Sequence, residues 1–407
     1  MFEYFDDNYS WNMGVLMASQ MGGIMSEIDS VCRPLRAIGN RPEARTDPAA
    51  LDAWIGAWTE LGERIEGLAR LDEEAGHGLS AGRKRLRAAL YYMQAERFAP
   101  HTDPRKLEIY ERMLAAFRAG ATLRADPVEW VDIPYEGKAL PSLFVPPPAS
   151  VAGDGPYPCM IHFDGFDVTK EWTYLSGMVE ALAARGVASL IVDHPGVGGA
   201  IRYHGLPTVV DTERPAGACL DWLADRPEVD AGSVGIVAMS LGGYYAPRAA
   251  AFDPRLACCV AWGARWDNAG SHGRILRDPT AARSVPGWLE HAKWYYGRDT
   301  EEGCAEVIDR MTLEGIADRI RCPILVAHGS NDRQVPLEQA QRTIDEAVNS
   351  PRRDLKIFTE EEGGIEHVGV DNLSIQIDYM TDWIADVLGG DAAGGLKEAG
   401  ASARVAA

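Results

Sequence analysis

The period of the apolar positions changes once along the chain. Up to about residue 126 it is helical. Leu51, Trp54, Ile55, Trp58, Leu61, Ile65 and Leu68 form one stripe, and Leu86, Leu90 and Met93 a second. Asp103-Pro104 opens a further helix, with Leu107, Tyr110, Leu114 and Phe117 on one side. This predicts a helical N-terminal region over 1–126. Beyond Asp126-Pro127, residues 128–133 and 139–145 read as two strands around a turn at Glu136-Gly137. After Pro146-Pro147-Pro148 and a loop of small residues, short apolar runs alternate with helical segments. The predicted strands are 159–163, 188–192, 234–238, 256–262, 324–327 and 355–358. The predicted helices are 174–185, 213–224, 241–251, 337–347 and 372–388. Apolar strands separated by helices imply an α/β fold, a mostly parallel sheet covered on both faces.

Residues 265–320 interrupt that alternation and carry Trp266, Trp288, Trp294, Tyr295 and Tyr296. An aromatic insertion between sheet strands is a candidate lid over a site at the strand ends, or a staple holding the insertion to the sheet. Residues 389–407 are mostly Gly and Ala and read as a disordered tail. The expected organisation is therefore a helical cap region (1–126), a catalytic domain (127–388) containing the insertion, and the tail.

Charge narrows the choice of partners. The 407 residues hold 60 Asp+Glu against 40 Lys+Arg, a net charge of −20. That balance argues against nucleic acid and against an anionic membrane surface, and does not by itself identify a substrate. The cluster Arg83, Lys84, Arg85 and Arg87 reads as a solvated helix face rather than an anion site. The acidic, aromatic start Met1-Phe2-Glu3-Tyr4-Phe5 lacks the basic and apolar regions of a secretory signal. No run approaches the roughly 18 apolar residues of a membrane span. A cytoplasmic location is expected. Seven cysteines, among them the adjacent Cys258-Cys259 in an apolar run, read as reduced core thiols. No spacing suggests a metal site, and no cofactor is expected.

The chemistry concentrates at Gly235-Ile236-Val237-Ala238-Met239-Ser240-Leu241-Gly242-Gly243-Tyr244. An apolar strand runs into Ser240 and a helix follows, with small residues two before and two after the serine. That spacing permits the tight strand–turn–helix of a nucleophile elbow. Ala238 stands where glycine is usual, and the turn chiefly excludes bulk there. A serine hydroxyl needs a base, and this fold orders the triad as serine, acid, histidine. Asp332 follows the 324–327 strand in His328-Gly329-Ser330-Asn331-Asp332, in the place of the acid. His367 is the only histidine downstream of it. The oxyanion hole should take the N–H of Leu241 and one from the loop 163–167, with Phe166 the candidate donor. His194, in a loop after a strand, is a candidate substrate contact. His328 reads as structural, His162 as packed in its strand, and His77, His101, His204, His272 and His291 have no constellation around them.

These motifs resemble the 2,6-dihydroxypseudooxynicotine hydrolase family of α/β-hydrolases, and fungal hydrolases that shorten polyketides by C–C cleavage are similar. The resemblance spans about residues 70–388. It rests on Ser80-Ala81-Gly82-Arg83 with the helix through Tyr92, on Gly165-Phe166-Asp167-Val168-Thr169-Lys170-Glu171, and on Ala238 through Ala246. His328 through Asp332 and Glu366-His367 complete it. It implies an α/β-hydrolase core, a helical N-terminal region over the active site, a homodimer, and hydrolysis of a C–C bond next to a ketone. It also implies an acidic residue in the oxyanion loop, typically glutamate, where this chain has Asp167. Asp167 then orients substrate or water, assists proton transfer, or caps its loop. Tyr244 and Trp266 join it and His194 as candidate substrate-binding or accessory residues.

The expected activity is serine-type hydrolysis of a β-diketone or vinylogous equivalent in a small aromatic or polyketide-like substrate. Direct attack by water is a variant of that route. A carboxylic-ester or lactone hydrolase uses the same triad with a different leaving group. A non-catalytic binding protein on the same fold would carry a broken triad, whereas Ser240, Asp332 and His367 are all present.

Overall fold

The computed structural model describes residues 2–278 and 280–394. Five helices precede the first strand: α1 (Tyr9–Gln20), α2 (Met25–Gly39), α3 (Pro48–Glu74), α4 (Gly78–Phe98) and α5 (Pro104–Arg124). Asp47 and Asp103 cap α3 and α5 by accepting from the N–H groups of Ala49 and Arg105, and each is followed by proline at the first helical position. The predicted stripe of α3 is buried at Trp54, Ile55, Trp58, Leu61 and Ile65, but Leu68 is exposed and Ala69 faces inward instead. On α5 the buried side runs through Ile109, Tyr110, Met113 and Phe117, and Leu107 is exposed. Trp54 stacks on Phe98 with centroids 4.6 Å apart, and Trp11 of α1 packs 4.8 Å from Trp54. This aromatic cluster seats α1 on α3 and α4.

The sheet has eight strands in the order β1-β2-β4-β3-β5-β6-β7-β8. They are β1 (Glu129–Tyr135), β2 (Lys138–Val145), β3 (Tyr157–Phe163), β4 (Ala188–Val192), β5 (Val229–Met239), β6 (Cys258–Trp262), β7 (Ile324–Gly329) and β8 (Arg353–Phe358). β2 runs antiparallel to β1 and β4, and every other neighbouring pair is parallel. The connecting helices are α6 (Ala149–Ala152), α7 (Lys170–Leu175), α8 (Met178–Ala183), α9 (Gly198–His204), α10 (Glu213–Ala224) and α11 (Gly242–Phe252). Next come α12 (His272–Arg277), α13 (Trp288–Tyr296) and α14 (Glu301–Arg310), all within the insertion, then α15 (Leu337–Glu346) and α16 (Leu373–Leu388). The fold is that of an α/β-hydrolase.

Alternation along the strands divides the interior into two cores. Val237, Met239, Cys258 and Val260 face α8, α16 and the N-terminal helices. Ile236, Ala238, Cys259 and Ala261 face α10, α11 and the insertion. Cys258 and Cys259 thus point to opposite faces, and all seven cysteines are free and buried. Two further elements depart from the sequence reading. The expected helix over 174–185 is two helices, broken at Gly177, whose φ is +91°. β7 continues through Gly329, so His328 lies within the strand. Of the tail expected over 389–407, residues 395–407 lie outside the described residues. No helix among the described residues is long and apolar enough to cross a membrane.

Candidate active site

β5 delivers Ser240 to the sheet's C-terminal edge, where ligands bind in open α/β sheets. The serine has φ +59°, a left-handed backbone that a non-glycine residue adopts only when its surroundings impose it. Its N–H donates to the Trp262 carbonyl at 2.8 Å, and its own carbonyl accepts from Gly243 N–H at 2.8 Å. The turn is tight enough that a Cβ at Gly242 would stand 2.6 Å from the Ala238 Cβ. Alanine is therefore tolerated at 238 only opposite glycine at 242.

Asp332 lies in the turn after β7. One carboxylate oxygen accepts from the N–H groups of Gln334 at 2.8 Å and Val335 at 3.0 Å; the other lies 2.7 Å from His367 Nδ1. His367 Nε2 is 2.7 Å from Ser240 Oγ. The three residues therefore form one hydrogen-bonded chain. Burial opposes the charge of Asp332, but the adjoining imidazole and the hydrogen bonds hold its carboxyl well below the usual carboxylate range. The histidine loop is anchored by Asp371, whose carboxylate accepts from the N–H groups of Gly364, Ile365 and Glu366 at 2.8–3.1 Å. Buried Glu366 accepts from Asn331 Nδ2 at 2.8 Å and Arg333 Nε at 3.2 Å, tying the base loop to the acid loop.

The loop after β3 passes directly over the serine: a Cβ at Gly165 would stand 2.9 Å from the Ser240 Cβ. The N–H groups of Leu241 and Phe166 donate no hydrogen bond among the described residues. The Phe166 ring is fixed in an aromatic box. Trp288 stacks on it at 5.5 Å, and His272, His291 and Tyr295 pack at 4.6–4.7 Å. His291 Nε2 lies 3.1 Å from the Phe166 carbonyl, and burial pushes this histidine down to about 4, so it is neutral and able to donate. His272 and His291, which stand alone in the sequence, belong to the support of this loop. The insertion thus staples itself to the site through Phe166.

A cavity of about 30 Å³ opens on Ser240 and His367, lined also by Met13 and Met17 of α1, Arg97 of α4 and Trp172 of α7. α1 is thereby its roof. Gln334, two residues beyond Asp332, donates to Tyr9 Oη of α1 at 3.2 Å. Asp167 lines the cavity and is paired with Arg97 at 2.5 Å. His194 does not reach the cavity. Its ring nitrogens lie 3.0 Å from the Asp164 and Pro195 carbonyls, against the loop after β3. Trp266 is also elsewhere, because Arg342 of α15 covers its ring and its Nε1 donates to Glu346 at 2.8 Å. Tyr244 points back into the fold, donating to the Val210 carbonyl at 2.9 Å. None of the three lines the cavity. The sequence reading missed Arg97, Met13, Met17 and Asp371, and named Glu366 only as the neighbour of His367 in its motif. Only the acidic pair in the 361–371 loop left a signal, as polar residues beside the expected base.

Comparison with known proteins places this architecture. The pattern described as "Esterase FrsA-like" matches residues 51–347. The chain belongs to the FrsA-like esterase family. The chain is 30% identical over 352 residues to the 2,6-dihydropseudooxynicotine hydrolase of Paenarthrobacter nicotinovorans, covering 85% of this chain and 87% of that one. It is 28% identical over 369 residues to the 20-hydroxy-prefusarin hydrolase FUS2 of Gibberella moniliformis, covering 82% and 87%. The crystal structure of 2,6-dihydroxy-pseudo-oxynicotine hydrolase superposes with a TM-score of 0.72 at 27% identity, over 92% of this chain and 95% of that one. This FrsA-like chain is an α/β-hydrolase enzyme.

Proposed function

We propose that this protein is a serine hydrolase that cleaves a C–C bond next to a ketone, in a β-diketone or vinylogous equivalent on a small aromatic or polyketide-like skeleton. The observation that carries the reading is the hydrogen-bonded chain Ser240–His367–Asp332 opening on a cavity roofed by the N-terminal helices. His367 takes the proton of Ser240, and Asp332 holds the imidazole with Nε2 toward the serine. Ser240 Oγ attacks the ketone carbonyl, and the N–H groups of Leu241 and Phe166 receive the oxyanion. The C–C bond breaks because the departing carbon is stabilised as an enolate, and His367 returns its proton to that carbon. Water then releases the acyl group. A carbanion leaving group favours a site that excludes bulk water until the proton is delivered. The small roofed cavity and the resemblance to C–C hydrolases support this choice. We carry over from the same resemblance a homodimer.

The second reading is a carboxylic-ester or lactone hydrolase, favoured by the esterase description of the family. A panel of aryl 1,3-diketones against aryl esters with the same acyl group separates the two. The C–C reading expects carboxylic acid and methyl ketone from the diketone, at a kcat/KM at least equal to that for the ester. Ester turnover without diketone cleavage would overturn it. Ser240→Ala is expected to lower kcat about 10⁴-fold or more and to abolish labelling by a fluorophosphonate.

A further inference from the structure

Among the described residues lining the cavity, one side chain is a Lys or Arg: Arg97, in the last turn of α4. Its side chain is 1% exposed. One terminal nitrogen, Nη2, donates to Asp167 Oδ2 at 2.5 Å and to the Ser284 carbonyl at 3.3 Å. Nε and Nη1 are buried and have no hydrogen-bond partner within the described protein. A guanidinium is a fixed fork of five N–H donors, and leaving two of its nitrogens unpaired out of water is unfavourable unless another group takes them. The walls nearby are Met13, Met17, Val168 and Trp172, which strengthen any charge interaction made there.

We propose that Arg97, oriented by Asp167, is a subsite for the second oxygen of a 1,3-dioxygenated substrate, the oxygen that carries negative charge as an enolate or phenolate. This rests on the serine-hydrolase reading above. In the cleavage step the bond from Ser240 Oγ to the acyl carbon has formed and the C–C bond breaks. Its electron pair delocalises from the α-carbon onto the second oxygen, which accepts from Arg97. The proton on His367 then moves to the α-carbon. Water hydrolyses the acyl-serine, so diketone plus water gives acid plus ketone. The leaving oxygen of an ester takes the proton of His367 directly and needs no such donor. Arg97 is thus the feature that adapts a general serine hydrolase to a carbon leaving group. Asp167 fixes the fork and keeps the empty subsite close to neutral.

The test uses a probe that needs no turnover. 2-Hydroxy-5-nitroacetophenone carries a ketone and a phenol whose ionised form is coloured. It is titrated against the purified full-length protein and followed by absorbance. In the native protein the bound phenol should ionise about one pH unit or more below the free phenol. Arg97→Met should abolish that shift and weaken phenolate binding about tenfold or more. Arg97→Lys should retain part of both. Asp167→Asn keeps a side-chain oxygen for Arg97 to donate to and removes only the competing charge, so it should tighten phenolate binding, an effect a purely structural ion pair would not give. The proposal is overturned if the native protein does not bind the phenolate, or if folded Arg97→Met binds it as the native protein does. It is equally overturned if Asp167→Asn loosens binding. If Arg97→Met does not fold, the opposite signs expected for Arg97→Lys and Asp167→Asn still decide it. Native binding with the expected shift, in a protein that cleaves esters but no diketone, supports the subsite while removing the C–C reading.

Discussion

Asp164 sits one residue before the glycine that covers Ser240, fully buried. Thr173 donates to one of its oxygens at 2.6 Å, and the other has no hydrogen-bond partner within the described protein. Burial, with Asp193 and Glu171 nearby, pushes its carboxyl up to about 8, while Lys170 pulls the other way. A carboxyl raised in the folded state keeps a proton that the unfolded chain releases between about pH 4 and 8. Folded stability therefore falls across that window as pH rises. Asp164→Asn keeps the shape without the proton equilibrium. Its urea midpoint should fall less between pH 5 and pH 8 than the native one; equal falls would place the cost elsewhere. Asp332 shows the opposite sign. Its lowered pKa gives stability that is present above about pH 4 and lost as pH falls further. Asp332→Asn should flatten that acid limb. It should also lower kcat by about 10³–10⁴-fold, because His367 loses the acceptor that fixes its tautomer.

At the scale of elements, what could be read from the sequence followed from periodicity. The strands through Phe163, Val192, Met239, Trp262 and Gly329 are apolar on both faces and bounded by turns, so each was legible. So were Ser240, Asp332 and His367, because chain order and strand ends fix where such residues stand. α1 carried no such signal. Every residue from Tyr9 to Ala18 is buried, so the helix has no polar face to mark its orientation, and nothing local shows that Met13 and Met17 roof the serine. Arg97 was illegible for the converse reason, since a cation near the end of a charged helix reads as surface. Phe166 was legible as a residue of the loop beside Ser240 but not as the ring that joins the loop to α13. Phe166→Ala should cost about 3–5 kcal/mol in chemical denaturation through the emptied aromatic box. It should lower kcat more than it raises KM, because the loop's N–H loses its fixed position. A stability loss with unchanged kcat would confine the ring to packing.

For the whole molecule, the roofed cavity sets a problem of access. About 30 Å³ accommodates roughly two waters, whereas pockets that enclose drug-sized ligands run to about 300–1,000 Å³. A substrate must therefore displace part of the wall. Most of the wall is sheet edge and tight turn, held by the hydrogen bonds of Ser240, Asp332 and the 364–371 loop. α1 is held differently, by packing of Trp11 against Trp54 and by side-chain bonds such as Gln334 to Tyr9. One turn beyond Met17 its end borders a groove of about 530 Å³ at Met21, Leu86 and Tyr174, large enough to receive what the cavity cannot. An opening that tilts α1 would connect groove and serine without disturbing the triad. Hydrogen exchange checks this directly. In the free enzyme the amides of α1 should exchange by local opening, well before those of β5 and β6. A long-chain alkyl fluorophosphonate on Ser240 should further raise exchange in α1 by holding the roof displaced. A short methyl phosphonate should leave α1 as it is. Trp11→Ala should loosen α1 in the same way and raise kcat/KM for bulky acyl groups relative to small ones. If exchange instead rises in α12 and α13 while α1 stays protected, the insertion is the moving wall.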